Sequence, residues 1–315
     1  MRLTKPRPVS YGGLIGIISP SSPVDREALE AGLARLHAFG YRTLVGDHVL
    51  DQRGYLAGDD EARATDFNRI WANPEVEAVL CARGGYGAMR ILERIDWELV
   101  RRTPKFFCGF SDVTALHLAM QREASLVTFH GPMVAAFGEA VVYNAEGLLR
   151  AMQEVDALGQ IHWPAPVDDQ PPRPVVVRPG VAEGRLTGGN LSLLVSLMGT
   201  RWEPDLTGAI LCLEEVDEAP YRVDRMLMQL KLAGKLRGLR GILFGDSPSC
   251  LSRIDGRPSL TLLEVLADHL GGLGVPVLYG FPSGHTAYRA TLPFGVQARL
   301  DAAAGSLVIL EPALG

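Results

Sequence analysis

Short apolar runs alternate with longer amphipathic stretches through the first half of the chain. Leu14–Ile18 is an apolar run ended by a Pro/Ser turn, and residues 25–40 follow with Leu29, Leu33 and Leu36 on one helical face and Gly40 as a stop. Residues 41–47 read as a strand, and residues 59–74 as a second amphipathic helix ended near Pro74. From Val76 an apolar run breaks into the glycine-rich turn ARGGYG, residues 82–87, and residues 88–95 are again helical. Residues 105–110, 112–124 and 125–132 repeat strand, helix and strand. Strands alternating with helices predict an α/β domain with a largely parallel sheet.

The pattern then lapses. Residues 163–180 hold six prolines and almost no helical period, which reads as a connection between domains. The expected organisation is a domain over 1–150, a Pro-rich linker over 151–180 and a second domain over 181–315. In the second domain, residues 180–200 suggest a strand, a glycine turn and a helix starting near Asn190. Residues 208–234 suggest a strand, an acidic loop and a helix, and 238–285 continue in mixed α/β style. The last segment, 291–312, reads as two strands around a turn at Ala303–Gly305.

Composition narrows the possibilities by exclusion. A chain of 315 residues buries a large core and suggests two domains more than one. A formal net charge of −5 offers no basic footprint, so nucleic acid is not expected as a partner. No apolar run approaches the roughly 18–20 residues of a membrane span. Arg2, Lys5 and Arg7 ahead of LIGIISPSSP loosely imitate a leader, but Leu14–Ile18 is too short and reads better as a first buried strand. The expected location is the cytoplasm. The four cysteines are scattered without a C-x-x-C, and no histidine pair has metalloprotease spacing, so the cysteines read as structural, reduced and not metal-bound.

In open α/β sheets, loops at the carboxyl ends of strands converge on one crevice, so polar residues just after apolar runs are where chemistry is sought. Gly109-Phe110-Ser111-Asp112 joins a strand to a helix. Ser111 and Asp112 suit a helix cap, since both accept unpaired backbone N–H groups, yet the same plan is that of a nucleophile elbow. Val113 stands where a hydrolase G-x-S-x-G would end in glycine. The paired glycines of ARGGYG suit either an ordinary turn or an oxyanion cradle built from N–H groups. Glu214, Glu215, Asp217 and Glu218 cluster after the strand at 208–213, as a solvated loop or as the source of a carboxylate that orients a histidine. His285 lies in a Gly/Pro/Ser loop after another strand, while His117 falls inside the helix after Ser111 and His130 precedes a Gly-Pro turn. A serine needs a base in hydrogen-bond reach, and the base an acid to fix its tautomer. Ser111, Glu214 and His285 supply one candidate for each role.

These residues sit in blocks that resemble the LD-carboxypeptidases (muramoyltetrapeptide carboxypeptidases), a family of serine peptidases. The blocks are ARGGYGAMRIL, GFSDVTALHLA, FHGPM, TGGNLSLLVSLMGT, LCLEEVDEAPYRVDRMLMQL and GFPSGH, in the family's order over nearly the whole chain. The resemblance implies an N-terminal, mostly parallel α/β domain with the nucleophile elbow and a smaller C-terminal α/β domain with acid and histidine, the active site lying between them, often in a homodimer. It implies Ser111 as nucleophile, His285 as base and Glu214 as acid, with Glu215 where relatives often carry Asp, so the two glutamates are open to confusion. Backbone N–H groups of Asp112 and Gly85 form the implied oxyanion hole, and Asp112 keeps the capping role. The implied reaction releases terminal D-alanine from a cytoplasmic murein tetrapeptide during cell-wall recycling, through an acyl-enzyme and without metal or cofactor. An anionic substrate needs local cations, and Arg83, Arg222 and Arg289 are the candidates. Two rivals stand beside this reading. One is a microcin-C immunity peptidase, which cleaves a link to a nucleotide-like toxin; the other is a non-catalytic muropeptide-binding protein.

Overall fold

Leu14–Ile18, β1, is buried at every position, as expected for a strand covered on both faces. This computed structural model describes residues 3–139, 141–165, 174–252 and 258–315. It divides into two compact units: one of Met1–Ala157, Ala290–Gly295 and Pro312–Gly315, and one of Leu158–Arg289 and Val296–Glu311.

In the first unit, β2 (Arg42–Val45), β3 (Val76–Cys81), β4 (Phe106–Gly109) and β5 (Thr128–His130) join β1 in a parallel sheet of order β2-β1-β3-β4-β5. Between the strands run α1 (Arg26–Ala38), α2 (Asp60–Ala72), α3 (Ala88–Ile91), α4 (Trp97–Arg102) and α5 (Thr114–Glu123), followed by α6 (Val134–Phe137) and α7 (Val142–Gln153). Both long helices nearest the N-terminus start at a carboxylate: Asp25 takes the Ala28 N–H at 3.0 Å and Asp59 the Ala62 N–H at 2.8 Å. The strand order reverses between β1 and β3, so the chain leaves these neighbours in opposite directions. Their carboxyl ends therefore open a crevice, bounded by the loop from Ser19 and the glycine turn from Ala82.

The second unit's sheet contains β6 (Ala157–Ile161), β7 (Val175–Arg178), β8 (Val181–Asn190), β9 (Ala209–Glu214), β10 (Gly241–Gly245) and β11 (Val277–Phe281). Next in the chain come β12 (Leu292–Phe294), β13 (Gln297–Asp301) and β14 (Ser306–Pro312). The order is β6-β14-β13-β8-β9-β10-β11-β7, with β8 to β11 parallel, β13 antiparallel to both β8 and β14, and β7 antiparallel to β11. Its helices are α8 (Leu191–Ser196), α9 (Pro220–Leu232) and α10 (Leu262–Leu270). Asn190 caps α8 through the Leu193 N–H at 3.1 Å.

Two expectations are corrected here. The Thr-Gly-Gly run is not a turn but the end of β8, paired in register with β9 from Gly188↔Cys212 to Asn190↔Glu214. Gly188 has φ 134°, and a Cβ there would lie 1.9 Å from the Cys212 carbonyl oxygen, so glycine is needed for two backbones to pass closely. The last segment holds three strands rather than two, because Leu292–Phe294 pairs antiparallel with β5 in the first sheet. The proline-rich stretch carries the end of α7, β6 and β7, with residues 166–173 outside the described ones. No helix among the described residues is long and apolar enough to cross a membrane.

Candidate active site

The turn after β4 is built around a strained serine. Phe110 is extended, and Ser111 follows with φ 64°, the left-handed region that costs a non-glycine residue on the order of 1–3 kcal/mol. One 3-10 turn, Ser111–Val113, then feeds α5. Gly109 permits the reversal, because a Cβ there would lie 2.8 Å from Val113 Cγ1. Val113 thus closes over the glycine before the serine, which is why the elbow forms without glycine at 113. The Gly109 carbonyl is fixed from two sides, by the Gly131 N–H at 3.1 Å and by His117 Nε2 at 2.8 Å. His117 is fully buried, and burial lowers it to about 3, so the ring is neutral with its proton on the nitrogen that meets the carbonyl.

Asp112 does not cap the helix that follows it. Its Oδ2 accepts the Ala88 N–H at 2.7 Å, at the start of α3, and so ties the serine's neighbour to the end of the glycine turn. Burial raises the Asp112 pKa, while the Ser21 hydroxyl, the Ala88 and Gly87 N–H groups and the Arg63 charge work the other way. Arg63 is buried and donates to the carbonyls of Pro20 and of Gly87, the latter at 2.9 Å, as well as to Asp60. Ser22 completes the frame: its N–H donates to the Gly84 carbonyl at 3.2 Å and its hydroxyl accepts the Tyr86 N–H at 3.0 Å. A Cβ on Gly84 would stand 3.1 Å from Ser111 Cβ, and one on Gly85, with φ 112°, would stand 2.3 Å from Ser22 Oγ. The turn therefore lies against the serine. Arg63 escapes the sequence reading, which places His117 only within the helix after Ser111, without its role beneath the Gly109 carbonyl. A signal for Arg63 exists, since it shares a helical face with Phe67, Ile70 and Trp71 at i+4, i+7 and i+8.

In the second unit the acidic run separates into distinct partners. Glu214 ends β9 with its side chain wholly buried, and its Oε2 meets His285 Nδ1 at 2.6 Å. A neutral ring donating from Nδ1 leaves Nε2 as the acceptor nitrogen. Glu214 Oε1 is buried with no hydrogen-bond partner among the described residues. Glu215, the residue just beyond the strand, turns to other partners. Its Oε2 accepts from Ser192 N–H at 2.9 Å and Ser192 Oγ at 2.7 Å, and its Oε1 from Asn190 at 3.1 Å. Burial raises its pKa, and the Ser192, Val216 and Asn190 donors oppose that rise. His285 reaches Glu214 because Gly284 lets its loop descend onto the end of β10: a Cβ on Gly284 would lie 2.2 Å from the Asp246 carbonyl oxygen.

The three candidate cations have different settings. Arg83 is exposed in the glycine turn and donates to the Pro23 carbonyl at 3.1 Å. Arg222, exposed on α9, contacts Glu218 at 3.4 Å and the Tyr221 hydroxyl at 3.1 Å. Arg289 is half-buried in the loop beyond His285. Among the described residues no group of three His, Cys, Asp or Glu side chains is placed to hold a metal ion.

A serine on a strand–turn–helix elbow and a histidine bonded to a buried carboxylate are the components of serine-hydrolase chemistry. Residues 15–131 match the N-terminal domain of the LD-carboxypeptidases and residues 183–300 their C-terminal domain. The chain is 40% identical to the Bacillus subtilis protein named "Probable murein peptide carboxypeptidase", over 97% of this chain and 94% of that one. A solved muramoyltetrapeptide carboxypeptidase from Oxalobacter formigenes superposes with a TM-score of 0.81 at 30% identity, covering 95% of this chain and 99% of its own. The microcin self-immunity protein MccF, solved with glutamyl sulfamoyl guanosine, superposes with a TM-score of 0.91 at 26% identity, covering 99% of each chain. The chain belongs to the LD-carboxypeptidase family, a family of serine-type peptidases.

Proposed function

We propose that the protein hydrolyses the amide bond that releases terminal D-alanine from murein tetrapeptides, a step of cell-wall recycling in the cytoplasm. The observation that carries this reading is the 2.6 Å contact of His285 Nδ1 with buried Glu214, which suits a histidine that takes protons through Nε2. Ser111 attacks the carbonyl of the scissile bond, and its proton passes to His285. Glu214 holds the ring in the productive tautomer and balances the imidazolium. The oxyanion develops against the N–H groups of Gly85 and Asp112. Collapse breaks the C–N bond as His285 protonates the departing amine, leaving an acyl ester on Ser111. Water, deprotonated by His285, then frees the shortened peptide and restores the serine. No step calls on a metal or cofactor. Arg83, Arg222 and Arg289 bind substrate carboxylates, and the working form is a homodimer.

A fluorophosphonate label tests the nucleophile: Ser111 is labelled in the native chain and labelling vanishes in Ser111→Ala. Failure both to label and to release D-alanine would leave a muropeptide-binding protein. For the cations, Arg222→Ala is expected to lower kcat/KM by more than about twofold, chiefly through KM. The likeness to MccF favours one second reading, cleavage of a peptide–nucleotide toxin. Assay of a murein tetrapeptide beside an aminoacyl sulfamoyl nucleoside separates the two, and the tetrapeptide is expected to be the faster substrate.

A further inference from the structure

Arg63 puts a cation where an apolar side chain would pack as well. Its side chain is fully buried, on the face of α2 that also buries Phe67, Ile70 and Trp71. An apolar residue of similar volume there would not have to give up the hydration of a charge, so stability alone does not explain the guanidinium. Its donors show what it does instead. Nη1 donates to the Pro20 carbonyl and, at 2.9 Å, to the Gly87 carbonyl, while Nη2 donates to Asp60. Pro20 lies in the loop after β1 and Gly87 at the end of the glycine turn after β3. One nitrogen therefore joins the two loops that bound the crevice of the first unit. A Cβ on Gly87, at φ 129°, would lie 2.7 Å from that nitrogen, so the guanidinium is fitted against bare backbone.

The same loops are also tied nearer the elbow. Ala82 N–H donates to the Ile18 carbonyl at 2.7 Å, Ser22 N–H to the Gly84 carbonyl at 3.2 Å, and Tyr86 N–H to Ser22 Oγ at 3.0 Å. The last two bonds flank Gly85. A trans peptide sets its carbonyl and N–H on opposite sides. With the Gly84 carbonyl held by Ser22, the Gly85 N–H points away from the loop after β1. Beyond Gly87, the Ala88 N–H donates to Asp112 at 2.7 Å, and the Arg63 charge is one of the groups that favour the ionised form of that buried carboxyl. Arg63 thus stands behind Gly85 through Pro20 and Gly87, and behind Asp112 through Ala88.

We propose that Arg63 is a positioning residue for the hydrolysis: from behind the glycine turn it fixes the direction of the Gly85 and Asp112 N–H groups, and so acts on the oxyanion without touching substrate. The catalytic part rests on the function proposed above; the bracing of the turn does not.

Arg63→Met keeps an apolar stem and removes the planar fork of donors. In the full chain, the endpoint of fluorophosphonate labelling counts competent sites, and D-alanine release is expressed per labelled site. The expected result is a fall in kcat of about 10²-fold with KM within about threefold of native. A purely structural role would reduce the labelled fraction and leave kcat per site unchanged; that outcome overturns the proposal, as does a loss confined to KM. Arg63→Lys, which keeps the charge without the fork, is expected to recover part of the loss and to remain about tenfold below native. Where Arg63→Met gives no folded chain, Arg63→Lys decides alone, and native kcat per site in it overturns the proposal. If the native chain neither labels nor releases D-alanine, the proposed function fails, and hydrogen exchange decides the bracing. The Tyr86 and Ala88 amides are then expected to exchange about tenfold or more faster in the Arg63 variant while the amides of β3 keep their native rates. Unchanged protection at Tyr86 and Ala88 overturns it.

Discussion

Ser111 and His285 are held in place by opposite means. Around Ser111 the geometry belongs to the main chain: a left-handed φ of 64°, a glycine that Val113 covers and a carbonyl bonded from two sides. Around His285 it rests on a side-chain hydrogen bond donated by Nδ1 to the carboxylate that ends β9, and on a glycine that lets the loop come down. The first arrangement is part of the folded core, so the serine side chain itself is replaceable without disturbing its support. The second is severed by changing a single functional group while the sheet stays intact. Activity and stability should therefore separate cleanly in some variants and not in others.

The largest effect is expected at Ser111. Ser111→Ala should lower kcat/KM for D-alanine release by about 10⁴-fold or more with an unchanged circular dichroism spectrum and melting temperature. Next comes the pair of adjacent glutamates. Glu214→Gln removes the group that fixes the His285 tautomer and should reduce kcat by roughly 10³- to 10⁴-fold. Glu215→Gln should leave kcat within about tenfold and instead lower stability by about 1–3 kcal/mol, since Ser192 and Asn190 lose a charged acceptor. Equal kinetic losses in the two variants would break the distinction. Gly284→Ala should cost roughly 10²-fold in kcat through displacement of His285, with less change in KM.

The smallest effect concerns acid. His117 unfolded binds a proton near 6.5, whereas in the fold it stays neutral down to about 3. Protons in this window favour the unfolded chain, so stability is complete above 6.5 and declines as pH falls. Between pH 6.5 and 5 the loss from this group is about 2 kcal/mol. Urea unfolding at the two pH values should show it in the native chain and not in His117→Asn, which is less stable at neutral pH but flatter with acid.

What could be read from the sequence, and what could not, follows the same division. Ser111, Glu214 and His285 stand at the ends of apolar runs, where strand-end loops gather, so composition and order were enough to raise them. Which glutamate meets the histidine depends on where β9 ends, which is known only once Glu214 is seen as its last residue. Gly188 and Gly189 looked like a turn because glycine's need for close backbone approach depends on a neighbouring strand more than twenty residues away. Leu292–Phe294 is three residues long, too short for a pattern to tell which sheet it joins. Asp112 looked like a cap for its own helix, since the helix it serves starts across the fold at Ala88. Local chemistry was legible; partners distant in sequence were not.

The most direct measurement of the central claim is mass spectrometry of a defined murein tetrapeptide after incubation with the native chain and with Ser111→Ala. The account predicts conversion to the tripeptide and free D-alanine by the native chain and an unchanged tetrapeptide with the variant. Intact tetrapeptide in both samples, or equal conversion in both, would contradict it.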